Sequence, residues 1–241
     1  MLITDPNHLG GVLFNRYVRP DIVQGVPLRN PLWKRSCPTG ASTPPSGCEP
    51  FINPAAFMRP VKGSLGNAPR TLDIRSPRQE YFDFSISKDL PFFGKEGRRR
   101  INLRVDLLNA FNHPNFRYNN TGNTPFGMGT FPSETTINST EFATWQAFSP
   151  STRSSVTLAA VQNLVNATRT PSGALPLDFF HVQLPQGFAT RDPLSFDITT
   201  LEGYKLYRIR QTYDSNFGSL FAIQTGTGGP RYVQFGIRLF F

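Results

Sequence analysis

The sequence predicts an all-β fold: a partial antiparallel transmembrane β-barrel, formed by the last few strands, with long extracellular loops that carry one or two short helices. Three observations support this prediction. The carboxyl-terminal residues alternate between apolar and polar side chains. The 241 residues include 22 Phe, 22 Pro and 20 Gly but only 17% charged residues, a composition that favours strands and loops over helices. No apolar run approaches the roughly 18 residues of a transmembrane helix.

The terminal strand, residues 231–241, has the period of two that is typical of a strand with one apolar face. Its polar positions are Tyr232, Gln234, Gly236 and Arg238. Its apolar positions are Val233, Phe235, Ile237, Leu239 and Phe241. A transmembrane barrel strand needs about 9–11 residues, with one face in lipid and the other in the lumen. The alternative is the last strand of a soluble sandwich.

Residues 80–110 predict a hairpin whose turn is centred near Lys95. Apolar residues alternate on both sides of the turn, at 82, 84 and 86 and at 101, 103, 105 and 107. Cross-strand partners share a face, so this centre puts both apolar sets on one face. The opposite face carries Asp83, Ser85, Arg104 and Asp106. In a soluble protein that face meets water, and in a barrel it lines a hydrated lumen.

The order of these strands predicts their direction across a membrane. If the carboxyl terminus is periplasmic, the short turn at 91–99 is periplasmic too. The segments 20–79 and 112–230 are then long external loops. Short periplasmic turns and long external loops are the asymmetry of outer-membrane barrels.

The first predicted loop, 20–79, is rich in proline, which excludes a central strand or a long helix. A loose alternation over 12–18 indicates a short strand before it. Cys37 and Cys48 lie within the loop, and a disulfide between them is favoured over two free thiols. Such a disulfide would imply an oxidising compartment. Two thiols without further ligands do not predict a zinc site.

The second predicted loop, 112–230, is too long to lack structure of its own. Residues Ser154 to Arg169 are one candidate for a short helix. Thr199 to Tyr213 is a stronger one, with apolar and basic residues at helical spacing. Asp197 is the expected amino-terminal cap of this second helix. We expect it to be a surface helix that packs on the loop.

Several classes of function are not expected. The net charge is +9, but the basic residues are scattered apart from 98–100, so nucleic-acid binding is not predicted. The sequence contains no catalytic constellation, metal-binding pair or phosphate-binding loop, and we expect neither an enzyme nor a bound cofactor. Residues 1–20 lack a signal peptide, so the chain is either not exported or the back end of a longer one.

Five segments carry a resemblance to a known family. They are FINPAAF (51–57), GSLGNAPR (63–70), YFDFSISKDL (81–90), RVDLLNAFNHPNF (104–116) and PRYVQFGIRLFF (230–241). In this order and spacing they resemble the carboxyl-terminal end of Oar-like TonB-dependent outer-membrane receptors. The element FNHPNF is the most specific, and the region near 126–195 lies outside the resemblance.

The resemblance implies a function for a complete receptor and not for this chain alone, which would be inactive. It implies a plugged barrel of about 22 strands in the bacterial outer membrane, which transports an unidentified substrate. The implied partners are outer-membrane lipid, the barrel-assembly machinery and, through a missing amino-terminal part, TonB. The assembly machinery would recognise the terminal strand through Val233, Phe235, Ile237, Leu239 and Phe241. The alternative is a secreted all-β module for ligand binding or adhesion.

Overall fold

A computed structural model describes residues 3–4, 17–36, 48–69, 71–91, 99–118, 129, 131–214, 217–222 and 230–240. The chain divides into two compact units. Met1–Ile74 and Tyr118–Ser219 form the first, which we call the helical unit. Arg75–Arg117 and Leu220–Phe241 form the second, which we call the sheet unit.

The strands of the described residues are mostly short. In chain order they are β1 (Ile3–Thr4), β2 (Tyr17–Val18), β3 (Asp21–Ile22), β4 (Phe57–Met58), β5 (Phe84–Pro91), β6 (Arg100–Leu108), β7 (Phe116–Tyr118), β8 (Leu220–Ala222) and β9 (Tyr232–Phe240). Strands β1 and β2, β3 and β4, and β7 and β8 form two-stranded sheets. Strands β5, β6 and β9 form a three-stranded sheet in that order. Residues 12–16 of the strand expected at 12–18 lie outside the described residues.

The three-stranded sheet is antiparallel throughout, as the sequence predicted. Phe84 pairs with Leu107 and Pro91 with Arg100, so the register of β5 and β6 is centred between positions 95 and 96. The predicted centre near Lys95 is therefore confirmed, although the turn residues 92–98 lie outside the described residues. Strand β9 pairs with β6 along its whole length, from Arg100 opposite Phe240 to Leu108 opposite Tyr232. These three strands do not close a barrel.

Four α-helices are present in the described residues, more than the one or two expected. They are α1 (Ser139–Phe148), α2 (Pro150–Arg153), α3 (Leu158–Asn166) and α4 (Leu201–Gln211). Helices α3 and α4 lie within the two predicted segments. The all-β expectation is therefore confirmed for the sheet unit and wrong for the helical unit. None of the described helices combines the length and apolarity that crossing a membrane requires.

The predicted cap of α4 was wrong. The cap is Thr200, whose side-chain oxygen accepts a hydrogen bond from the backbone N–H of Gly203 at 3.1 Å. Asp197 lies too far ahead of the helix and instead closes the preceding turn, because its carboxylate accepts the N–H of Thr199 at 3.0 Å. Helix α4 is also not a surface helix, since Tyr204 and Ile209 are buried.

The helical unit has a core of aromatic and aliphatic side chains drawn from both predicted loops. Phe51 and Phe57 come from the first loop, and Trp145 and Tyr204 come from the second. The two segments also share a backbone hydrogen bond, from Ile52 N–H to the carbonyl of Gly218 at 3.1 Å. Segments expected to be loops thus form one packed unit. Large side chains at most 2% exposed include Phe51, Phe57, Ile137, Trp145, Leu184, Phe188, Phe196, Ile198, Tyr204, Tyr207, Ile209 and Phe217.

Candidate functional site

One face of the three-stranded sheet is almost entirely apolar and exposed. Strand partners share a face, and the register aligns Ile86 with Val105 and Val105 with Phe235. Phe235 is 75% exposed and Ile237 is 70% exposed. Lys88, opposite Leu103, is the charged exception within the described strands. The apolar members are Phe84, Ile86, Leu90, Ile101, Leu103, Val105, Leu107, Val233, Phe235, Ile237 and Leu239.

The opposite face of the sheet carries hydrogen-bonded polar and charged side chains. The carboxylate of Asp106 accepts hydrogen bonds from the Ser85 hydroxyl at 2.6 Å and from Arg104 Nε at 2.8 Å. The Asn102 amide donates to Asp89 at 2.6 Å. Such a face is stable only in contact with water, because unhydrated charges are costly. The sheet is therefore apolar on one side and polar along the middle of the other, where Leu108 and Phe240 are apolar residues at the strand ends.

Two of the three residues predicted to face the lumen, Arg104 and Asp106, lie on this polar face. The third, Asp83, precedes β5, and its carboxylate accepts the backbone N–H of Asn109 at 2.8 Å. Asp83 therefore fixes the chain at the end of β6 as well. That the polar face lines a lumen stays a prediction.

Aromatic side chains flank the apolar face at one end. At the end opposite the short turn, Phe82 lies 4.9 Å from both Phe84 and Phe111 between ring centroids. Phe111 is 69% exposed. At the other end, Phe240 pairs with Arg100 on the polar face, and the Arg100 guanidinium lies 4.6 Å from the centroid of the Phe240 ring. Barrel strands of outer membranes have aromatic girdles at the ends of their apolar band, and this cluster corresponds to one of them.

The element FNHPNF forms a hydrogen-bonded junction at the aromatic end of the sheet. The buried amide of Asn115 accepts the backbone N–H of Glu80 and donates to the carbonyl of the same residue, both at 2.8 Å. Asn109 binds both backbone groups of His113, at 2.9 and 3.1 Å. Asn112 accepts the N–H of Arg231 at 3.3 Å, just before β9. Together with Asn109, which precedes it, the element therefore joins the chain ahead of β5, after β6 and ahead of β9.

Asparagine suits this junction for a conformational reason as well. Asn109 and Asn112 adopt positive φ angles of 47° and 51°. Asparagine tolerates the left-handed region better than most residues with a side chain. The sequence analysis identified FNHPNF as the most specific element of the resemblance but did not predict a junction there. The spacing of the asparagines is the sequence feature that indicates it.

The remaining predicted site residues are only partly described. Cys48 is half-buried, whereas Cys37 lies outside the described residues, so the disulfide stays a prediction. Four of the five residues of the predicted assembly signal lie on the apolar face of β9, and Phe241 lies outside the described residues. In the part of the chain that the structure describes, no His, Cys, Asp and Glu side chains cluster as a metal site would require.

Two buried arginines connect distant segments of the helical unit. Arg208 is 5% exposed and pairs with Glu141 at 3.1 Å, which joins α4 to α1. Arg59 is fully buried and donates to the Thr212 hydroxyl at 3.2 Å. Burial lowers the pKa of the Arg59 guanidinium to about 9, so it stays charged at neutral pH.

The two-faced sheet, with its exposed apolar band and the aromatic cluster at one end, defines the class as transmembrane β-barrel strands. The comparisons with known proteins agree. The family model of the outer membrane beta barrel domain matches residues 4–153, which is more than half of the chain, and the protein belongs to this family. It is therefore an outer-membrane protein. Neither the curated proteins nor the solved structures gave a match.

Proposed function

We propose that the protein is the carboxyl-terminal part of an Oar-like TonB-dependent receptor, to which it contributes the final barrel strands and a folded external unit. The observation that carries the proposal is the three-stranded sheet. Its strands follow one another in chain order, β5, β6 and β9, with one apolar and one polar face in register. Neighbouring antiparallel strands with this division are what the end of a large barrel requires.

The connections between these strands support the receptor over the secreted module. Only eight residues separate β5 from β6, and the segment between β6 and β9 contributes most of the helical unit. A secreted module would present the apolar face to water, and contiguous exposed apolar patches of this kind are rare on soluble proteins. Transport of a substrate would be a property of the complete receptor.

The complete reading frame tests the TonB-dependent assignment. Upstream of Met1 we expect further alternating barrel strands, and before them a plug domain with a TonB-contacting segment. A frame that encodes these strands without any plug would leave an outer-membrane protein but contradict the receptor proposal. Substrate uptake that persists after deletion of TonB would contradict it as well.

Epitope tags test the proposed topology. The turn around Gly173 is exposed, and a side chain at that glycine would meet no atom within 4 Å. A tag inserted there should bind antibody on intact cells. A tag in the short turn at 94–97 should bind only after the outer membrane is permeabilised. The reverse pattern would show that the orientation is wrong.

The terminal strand is proposed to serve as the assembly signal. A strand edge docks by main-chain hydrogen bonds while alternate side chains fill apolar pockets. Deletion of Phe241 in the complete receptor should therefore lower its level in the outer membrane. Arg238→Gln, which changes the polar face of the same strand, is the control and should have little effect. Equal levels for both variants would reduce Phe241 to an ordinary packing residue.

A further inference from the structure

The helical unit contains a pocket of about 460 Å³. Ligand-binding pockets usually have a volume of roughly 300–1,000 Å³, with mostly apolar walls and a few polar groups. This pocket fits that description. Its apolar lining includes Phe131, Leu175, Leu177 and Phe180, and its charged groups are Lys62 and Glu134.

The two charged groups form an ion pair with each other at the pocket. The ammonium of Lys62 contacts the carboxylate of Glu134, and the two side chains are 29% and 41% exposed. A pair this exposed contributes about 0–1 kcal/mol at most. A ligand that offers an opposite charge to each partner can therefore bind both at little cost.

The walls that carry these groups are fixed independently of the ion pair. The backbone N–H of Lys62 donates to the carbonyl of Leu177 at 2.8 Å. Arg169 donates to the carbonyl of Glu134 at 2.6 Å, and the buried Arg208 donates to that of Ser133 at 3.3 Å. The backbone at both charges is thus held by groups other than their side chains, so the pocket is formed before a ligand binds.

The apolar part of the pocket has a buried floor and an exposed rim. Leu175 and Phe180 are each 7% exposed, whereas Leu177 is 62% exposed. The exposed leucine offers apolar surface that a bound ligand would cover. The volume corresponds to roughly fifteen water molecules, which is enough for a large apolar or aromatic side chain together with its polar headgroup.

We propose that this pocket binds a zwitterionic α-amino acid with a large apolar side chain. The ligand carboxylate would pair with Lys62 and its ammonium with Glu134, because adjacent opposite charges on the protein match the adjacent charges of an amino-acid headgroup. The side chain would lie against Phe180 and Leu177. This proposal stands on the pocket alone and does not depend on the receptor assignment.

Isothermal titration of the complete protein, purified from membranes in detergent, tests the proposal with L-tryptophan as the probe. Tryptamine lacks the carboxylate and indole-3-propionate lacks the ammonium, so each should bind at least about tenfold more weakly, as expected for loss of one charged hydrogen bond. Equal binding of all three compounds would overturn the proposal. So would the absence of L-tryptophan binding at about 10 mM.

Substitutions in the pocket test which charged group of the ligand each protein side chain binds. Lys62→Met should weaken the binding of L-tryptophan about tenfold and leave the binding of tryptamine unchanged. Glu134→Gln should weaken the binding of L-tryptophan by the same factor and leave the binding of indole-3-propionate unchanged. The matched controls are Lys34→Met and Glu202→Gln, at exposed positions outside the pocket. Pocket variants that bind like these controls would refute the assignment.

Leu177→Ser gives a test that misfolding cannot confound. Its side chain is 62% exposed, so the substitution should leave the fold intact and still weaken L-tryptophan several-fold. Unchanged binding would place the ligand elsewhere. A negative result in any of these titrations would leave the membership of the outer-membrane family and the sheet untouched.

Discussion

Substitution of Phe235 by aspartate measures directly whether the apolar face meets lipid. Phe235 lies near the middle of β9 and is 75% exposed on the sheet, so its stabilising effect depends on the medium around it. Burial of a phenylalanine side chain contributes about 1.5–3 kcal/mol, and three quarters of that is about 1–2 kcal/mol. A charge in the bilayer adds a further cost of up to a few kcal/mol near the midplane.

The expected loss in lipid is therefore about 3 kcal/mol, or roughly a hundredfold in the folding equilibrium. In water the same substitution at an exposed site would cost less than about 0.5 kcal/mol. Urea-induced unfolding of the complete protein in lipid vesicles measures the loss of stability caused by Phe235→Asp and distinguishes the two expected values. If Phe235 faces lipid, the urea concentration at the midpoint of unfolding should fall, while the dependence of the free energy of unfolding on urea concentration is unchanged.

Gly236→Asp is the matched control, because it introduces the same residue at the next position and on the opposite face. A side chain at Gly236 would lie 3.7 Å from the Cβ of Arg104, an ordinary contact, and the new carboxylate would face a guanidinium. We expect this variant to be as stable as the parent or slightly more so. If both variants lost the same stability, the division into a lipid face and a water face would be refuted.

Three further predictions concern other parts of the chain. Mass spectrometry of unreduced protein should show Cys37 and Cys48 in one linked peptide, and two alkylated thiols would contradict this. Asn115→Ala leaves two backbone groups without their partner and should destabilise the sheet unit by about 2 kcal/mol in urea unfolding, whereas Asn102→Ala, at a half-buried position whose amide binds only the Asp89 side chain, should cost less than about 1 kcal/mol; equal losses would disprove the role of the junction. Burial raises the pKa of Tyr213 in the folded protein, so its hydroxyl loses its proton at a lower pH in the unfolded chain than in the folded one. The free energy of unfolding should therefore fall as the pH rises above about 10. Tyr213→Phe should remove the highest-pH phase of an alkaline absorbance titration without lowering stability at neutral pH, because its hydroxyl has no hydrogen-bond partner among the described residues; a marked loss at neutral pH would contradict this.

The sequence by itself determined the hairpin and the terminal strand of the sheet unit. Alternation with a period of two is a local property, and a slip of one residue would move every apolar side chain to the wrong face. The pattern around 84–107 therefore defined strands, faces and the register of the hairpin. The same local logic located α3 and α4. It missed α1, whose apolar residues form no clear stripe, although Asn138 and Glu141 form a capping box that the sequence does show.

Only the tertiary structure decided what the two long loops form. The core of the helical unit joins residues far apart in the chain, such as Arg59 with Thr212 and Ile52 with Gly218. The local sequence pattern does not predict these long-range contacts, because each segment is irregular and gains stability only from burial against the other. The pocket has the same origin, since Lys62 and Glu134 belong to different segments. Local patterns determined the strands of this protein, and contacts between distant segments determined its helical unit.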